Sequence, residues 1–265
     1  MRVSSHAAAT HATATTASVP TWLMRIAVLS DIHANLHALD AVLASIDAAG
    51  VDELWCLGDT IGYGPRPNEC VDVVRARASI ALCGNHDLAA LGRLDTTDFS
   101  GDAGAAARWT ANELGAEQRA WLESLSPLGV RGSAQLFHGS PRDPVWDYVL
   151  SEEVALASLL ATTASAVLVG HSHVALALAW DGEELTGGLS PAETEVELDR
   201  ARWLLNPGSV GQPRDGDARA AWLLLDEEAG RATFVRVPYA VEETQAEIRE
   251  RGLPPALAAR LAHGI

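Results

Sequence analysis

From Arg25 onward the chain repeats one pattern: a short apolar run, a polar cluster, then a helical or looped stretch. The runs are "RIAVLS", "ELWCLG", "SIALCG", "AQLFHG" and "SAVLVG". Each is short enough to be a strand covered on both faces. After the first run, Leu36, Leu39, Val42, Leu43 and Ile46 recur at helical spacing, and Gly50 closes the segment. Strand, helix and strand in succession predict βαβ units and a largely parallel core sheet.

The stretch from Leu88 to Arg131 is longer than a simple crossover and carries a helix ending in "EQRAWLESLSP", with Trp121, Leu122 and Leu125 on one face. A second helix starts at Ser151, an N-cap followed by Glu152 and Glu153 in the first turn. Together the segment 88–163 reads either as a small helical cap over one sheet edge or as ordinary crossover helices. After Trp180 the texture changes to strand pairs joined by turns: "TEVELD", "ARWLLN", "AAWLLLD" and "ATFVRVP". The last segment, from Val241, is helical with a break at Gly252 to Pro255. Residues 1–23, rich in Ala and Thr, read as a flexible tail, with Met24 as an alternative start, and residues 24–265 as one domain.

Composition narrows the functional classes. The chain has 265 residues, 48% of them hydrophobic, enough for one sizeable core. A net charge of −16 repels polyphosphate backbones, so long nucleic acid is not expected as a partner. Cys56, Cys70 and Cys83 form no C-x-x-C pair, which fits reduced, buried thiols and a cytoplasmic location. No apolar run reaches the roughly 18 to 20 residues of a membrane span, so no membrane association is expected. Nothing in the composition decides for or against a homo-oligomer.

The polar clusters carry the chemistry. The five runs end in Asp31-x-His33, Gly58-Asp59, Gly84-Asn85-His86-Asp87, His138-Gly139 and Gly170-His171-Ser172-His173. In an open α/β sheet, ligands bind beyond the carboxyl ends of the strands, so these groups would gather on one rim. A single Gly-Asp or His-Gly is usually only a turn. Imidazoles, carboxylates and an amide converging together predict a site for Mn, Fe or Zn rather than Ca or Mg.

In this order, "SDIH", "GD", "GNHD", "HG" and "GHSH" resemble the calcineurin-like metallophosphoesterase superfamily, and "GDTIGYGPRPNEC", "HGSPRDP" and "NPGSVGQPRDGD" resemble its prokaryotic single-domain phosphodiesterase/phosphatase branch. The resemblance implies an α/β fold, a four-layer α/β/β/α sandwich, with two divalent transition-metal ions. It implies that Asp31, His33 and His173 hold one ion, that Asn85, His138 and His171 hold the other, and that Asp59 bridges them. It further implies hydrolysis of a small phosphoester or nucleotide by direct attack of a metal-bridging hydroxide, with His86 near the leaving-group oxygen as general acid or charge stabiliser. Two dications less two carboxylates and a hydroxide leave about +1 for the phosphoryl group to meet.

The protein phosphatases of the superfamily extend Gly-Asp with a second Asp and an Arg. Here Gly62 and Tyr63 stand at those places, which disfavours a protein substrate and leaves His86 without an evident orienting partner. Arg66, Arg142 and Arg214 are candidates for gripping the substrate, and Trp146 and Tyr148 for the mouth of the site. "NPGSVG" reads as a tight turn beneath the rim. A symmetrical dinucleoside polyphosphate hydrolase, or a metal-binding interaction module without strong turnover, are the alternatives.

Overall fold

A computed structural model describes residues 24–198 and 201–265. The expected tail and Asp199 of "TEVELD" lie outside the described residues. The strands are β1 (Arg25–Leu29), β2 (Glu53–Cys56), β3 (Ile80–Ala81), β4 (Leu128–Arg131), β5 (Ala134–Phe137) and β6 (Ala166–Leu168) in the first part of the chain. Then follow β7 (Leu176–Trp180), β8 (Leu185–Leu189), β9 (Glu195–Glu197), β10 (Arg202–Asn206), β11 (Ala220–Asp226) and β12 (Arg231–Val237). The helices are α1 (Leu36–Ala49), α2 (Pro67–Arg77), α3 (Asn85–Ala90), α4 (Gly101–Glu113), α5 (Ala116–Glu123), α6 (Glu152–Leu160), α7 (Val241–Glu250) and α8 (Pro255–Ala259).

Local chemistry sets these boundaries. The Asn35 side chain accepts from the Ala38 N–H at the start of α1, and Gly50 ends that helix in the left-handed region at φ 67°. Ser151 caps α6 through its hydroxyl, as its sequence position predicts.

The strands form two sheets, in the orders β3-β2-β1-β11-β12-β9 and β4-β5-β6-β10-β7-β8. Alternation along β1 explains the layering. Ile26 and Val28 face the second sheet, packing with Trp55, Leu136, Leu168, Leu205 and Phe234. Ala27 and Leu29 point the other way, against Leu39, Val42 and Ile46 of α1. On the far face of the second sheet, Ala155 and Leu159 of α6 pack on Val167, Val169 and Leu204. The result is helix, sheet, sheet, helix, the four-layer sandwich.

The core sheets are less parallel than the βαβ pattern predicts. Pairing is parallel across β3-β2-β1 and across β5-β6-β10. The hairpin strands from the later part of the chain add antiparallel to both, β11 beside β1 and β7 beside β10. A buried strand looks the same in sequence whichever way its neighbour runs, so periodicity does not reveal this.

The segment 88–163 divides. Ala103 and Ala106 of α4 pack with Tyr63, Ile248 of α7 and Leu257 of α8 to cover one side of the strand ends. Leu122 of α5 packs with Ile61 and Val71, the latter on α2, while α6 is an ordinary layer helix.

Candidate metal centre

All five predicted clusters lie at the carboxyl ends of parallel strands. Asp31 and His33 follow β1, Asp59 follows β2 and Asn85 opens α3 after β3, all from the first sheet. His138 follows β5, and His171 and His173 follow β6, from the second. Main-chain bonds extend the β1–β2 pairing past the strands: Asp31 N donates to Gly58 O, His33 N to Asp59 O and Ala34 N to Thr60 O, at 3.0 to 3.1 Å. The chain then turns sharply. Asp31, His33, Asp59, His171 and His173 all adopt left-handed φ between 51° and 62°, a region in which Asp and His are enriched among non-glycine residues.

The seven side chains meet in two buried groups. Asp31, His33 and His173 place ligand atoms within 4.8 Å of one another, and so do Asp59, His138 and His171. His33 Nε2 lies 3.1 Å from His173 Nε2, and His138 Nε2 lies 3.2 Å from His171 Nδ1 and 3.1 Å from Asn85 Oδ1. Asp59 Oδ2 stands between the groups, 3.7 Å from His33 Nε2 and 3.5 Å from His138 Nε2.

The tautomers follow from the outer nitrogens. Nδ1 of His33, His138 and His173 donates to the carbonyls of Ile61, Leu57 and Gln212, at 3.1, 3.0 and 2.6 Å. That leaves each Nε2 as a bare lone pair facing inward. The carboxylates are divided in the same way. Asp31 Oδ2 accepts from His171 N at 3.0 Å and Asp59 Oδ1 from His86 N at 2.9 Å, while Asp31 Oδ1 and Asp59 Oδ2 are buried with no hydrogen-bond partner among the described residues. Unpaired buried carboxylate oxygens are costly unless a cation compensates them.

The titration behaviour points the same way. Burial pushes Asp31 up to about 7, and burial with the neighbouring Asp87 charge raises Asp59 well above the usual carboxylate range. Burial also holds His33, His138 and His173 below the usual imidazole range and takes His171 down to about 2. Neutral imidazoles and orphaned carboxylate oxygens, all converging, are a donor set suited to divalent transition-metal ions.

His86 lies beside the groups rather than in them. Its ring packs against those of Tyr63, His33 and Phe99, with centroids 4.3, 5.0 and 5.0 Å away. Gly62, at φ 93°, makes room for it: a Cβ there would lie 2.8 Å from His86 Nδ1. The second Asp of the phosphatase pattern has no space here, and aromatic packing orients the ring instead. Burial and the Arg214 charge hold His86 well below its ordinary pKa, so it does not titrate near 6.5 as its residue type alone suggests.

The three arginines separate. Arg214 sits at the rim: its backbone N donates to His173 O, and its Nη2 donates to Gln212 Oε1 at 3.0 Å and Tyr63 Oη at 3.3 Å. Its Nε is buried without a hydrogen-bond partner among the described residues. Arg66 is instead held by a two-pronged ion pair with Glu247 of α7, and Arg142 is exposed beside Asp147. Their loops resemble site motifs in sequence, but local spacing does not reveal that an acidic residue from a distant helix claims one of them.

Several positioning residues carry only faint sequence signals. Asp87, the last letter of "GNHD", is buried and accepts from the N–H groups of Ile61 and Gly84, tying the β2 loop to α3. In "NPGSVG", Asn206 Nδ2 donates to Gly170 O and Ser172 Oγ, and the Ser209 hydroxyl donates to Asp31 O at 2.7 Å. This turn buttresses both ligand loops. On the outside, Tyr148 stacks on His171 at 3.8 Å, and Trp146 contacts Phe99 at 5.2 Å.

Comparison with known proteins gives consistent findings. Residues 24–230 match the calcineurin-like phosphoesterase superfamily domain. An uncharacterized protein of Methanocaldococcus jannaschii is 36% identical over 245 residues, covering 90% of this chain and 98% of its own. The crystal structure of a metallophosphoesterase from Sphaerobacter thermophilus superposes with a TM-score of 0.84 at 42% identity, covering 92% of this chain and 100% of that one. A Pyrococcus horikoshii protein shares the fold, with a TM-score of 0.75 at 20% identity, over 91% of this chain and 98% of its own.

Proposed function

Since this chain belongs to the calcineurin-like phosphoesterase superfamily, we propose that it is a metal-dependent phosphohydrolase of small phosphoesters, with diesters and monoesters both within its chemistry. The observation that carries this reading is the position of Asp59 Oδ2, without a hydrogen bond among the described residues and within 3.7 Å of a ring nitrogen from each group. One ion would be held by Asp31, His33 and His173, the other by Asn85, His138 and His171, with Asp59 shared. When bound, Mn, Fe or Zn ions supply Lewis acidity toward the phosphoryl oxygens and lower the pKa of water.

The chain's own groups do the rest. Arg214, braced by Gln212 and Tyr63, offers an always-charged guanidinium to the non-bridging phosphoryl oxygens. His86, kept neutral by burial and by Arg214, offers a ring N–H to the leaving-group oxygen and stabilises the charge that develops there. Asn85 contributes an uncharged oxygen where a carboxylate would cancel more of the positive charge.

The test is elemental analysis together with turnover of bis-p-nitrophenyl phosphate and p-nitrophenyl phosphate after loading with Mn, Fe or Zn. The wild type is expected to bind metal and hydrolyse at least one of the two. Asp59→Asn is expected to lose bound metal and turnover together, because the shared position needs a full carboxylate. Undiminished metal content in that variant overturns the assignment.

A further inference from the structure

The C-terminal segment brings a second arginine to the metal rim. Leu257 and Ala258 of α8, and Leu261 in the single helical turn Arg260–Ala262 that follows it, are buried in one cluster with Tyr63. Leu257 and Leu261 also line a narrow cavity with His33 and Gln212. The segment is fastened to the loop of Arg214: Gly216 N donates to Gly264 O at 3.0 Å, and a Cβ on Gly264, at φ 63°, would lie 2.7 Å from Asp217 C. Only glycine allows so close an approach. Arg260 itself lies beyond residues 24–230, the part of the chain that matches the superfamily domain.

Both guanidinium groups act on Tyr63. Arg214 stands over its ring, 5.8 Å from the centroid, and donates to its hydroxyl. Arg260 is half-buried; burial and repulsion by Arg214 hold it below the ordinary arginine range, yet it stays charged. Neighbouring arginines hold carboxylates: Arg66 that of Glu247, Arg219 that of Asp217 and Arg236 that of Asp215. Arg214 and Arg260 hold no acidic side chain among the described residues, and Arg260 Nε donates to the main-chain O of Ile265. In a chain with 35 acidic against 19 basic residues, two repelling cations without a counter-charge are costly to bring together unless an anion joins them.

We propose that Arg260 is a specificity residue, binding a second anionic group, phosphate or carboxylate, on a substrate whose scissile phosphoryl group is held by Arg214. This rests on the phosphoesterase reading and adds a binding residue to that site. A guanidinium meets either group through paired N–H donors. A substrate uncharged beyond its scissile phosphoryl group would leave Arg260 facing Arg214 without compensation.

The test is calorimetric binding of propylphosphonate, 3-phosphonopropionate and ethane-1,2-diphosphonate, whose C–P bonds resist hydrolysis, to the Mn-loaded protein: wild type, Arg260→Gln, Arg260→Lys and Arg251→Gln. The wild type is expected to bind at least one of the two ligands with a second anionic group about tenfold more tightly than propylphosphonate, as one charge-assisted hydrogen bond allows. Whichever of the two it favours names the second group as carboxylate or phosphate. Arg260→Gln is expected to erase that preference with Mn content unchanged, and Arg260→Lys to restore part of it. Arg251→Gln, which removes an exposed guanidinium paired with Glu113, is expected to keep it. Equal wild-type affinities for all three ligands overturn the proposal, as does a preference that survives Arg260→Gln or falls as far in Arg251→Gln. The phosphoesterase reading fails by a different result, a Mn-loaded wild type that turns over neither p-nitrophenyl substrate, since the preference is read from binding alone.

Discussion

Asp31 and Asp59 each have one carboxylate oxygen fixed by a backbone N–H and the other without a hydrogen bond among the described residues, the one that the proposed assignment gives to a cation. Their identities were legible from the sequence because an acidic group directly after an apolar run has few structural uses. Their division of labour was not, since it depends on amides of His171 and His86 that arrive from elsewhere in the chain. His86 illustrates the same limit. Residue type suggests a titrating acid, whereas burial among Tyr63, Phe99 and His33 makes a neutral donor. His86→Ala is therefore expected to keep its full metal content while kcat falls by about 10- to 1000-fold. The loss should be larger for alkyl than for p-nitrophenyl leaving groups, and the wild-type pH profile should lack an alkaline limb near 6.5 assignable to this ring. Steady-state rates across a leaving-group series check both points.

The elements that matter most are loops, each fixed by a strand before it and a brace beneath it. Strand ends and their polar clusters could be read from periodicity, and so could α1 with its terminal Gly50. The two-sheet arrangement could not, because it depends on where β10 to β12 return after a long excursion. The brace in "NPGSVG" had a turn-like sequence and gave no sign of what it supports. Asn206 holds the loop of His171 and His173 through two side-chain donations, at 2.8 and 3.0 Å. Asn206→Ala should lower metal affinity by about 10- to 100-fold, the usual cost of removing an outer support from a metal ligand. Competition against a fluorescent chelator measures that loss. An unchanged affinity would show that the β6 loop keeps its shape unaided.

At the scale of the molecule, the buried charges make stability depend on pH once metal is stripped. His33, His86, His138, His171 and His173 are all held low in the folded state, so the unfolded chain binds their protons more readily and stability rises with pH until about 6.5. Asp31, Asp59 and Asp87 are raised, so the folded state keeps their protons longer and their contribution falls as pH increases, for Asp31 up to about 7. Histidines outnumber carboxyls in this set, so the slope is upward below about 6.5 and downward just above it. Chelator-treated protein should thus melt highest near pH 6.5, and Mn should raise Tm most on the alkaline side, where the carboxylates are ionised. Scanning calorimetry from pH 5 to 8 with and without Mn tests this; a metal-free Tm that climbs steadily through pH 8 would contradict it. Each ligand group also draws residues from both sheets: Asp31 and His33 against His173, Asp59 and Asn85 against His138 and His171. On the proposed assignment each ion would accordingly rivet the two halves of the sandwich, and any motion that parts the layers at this end would first have to surrender its cargo of metal.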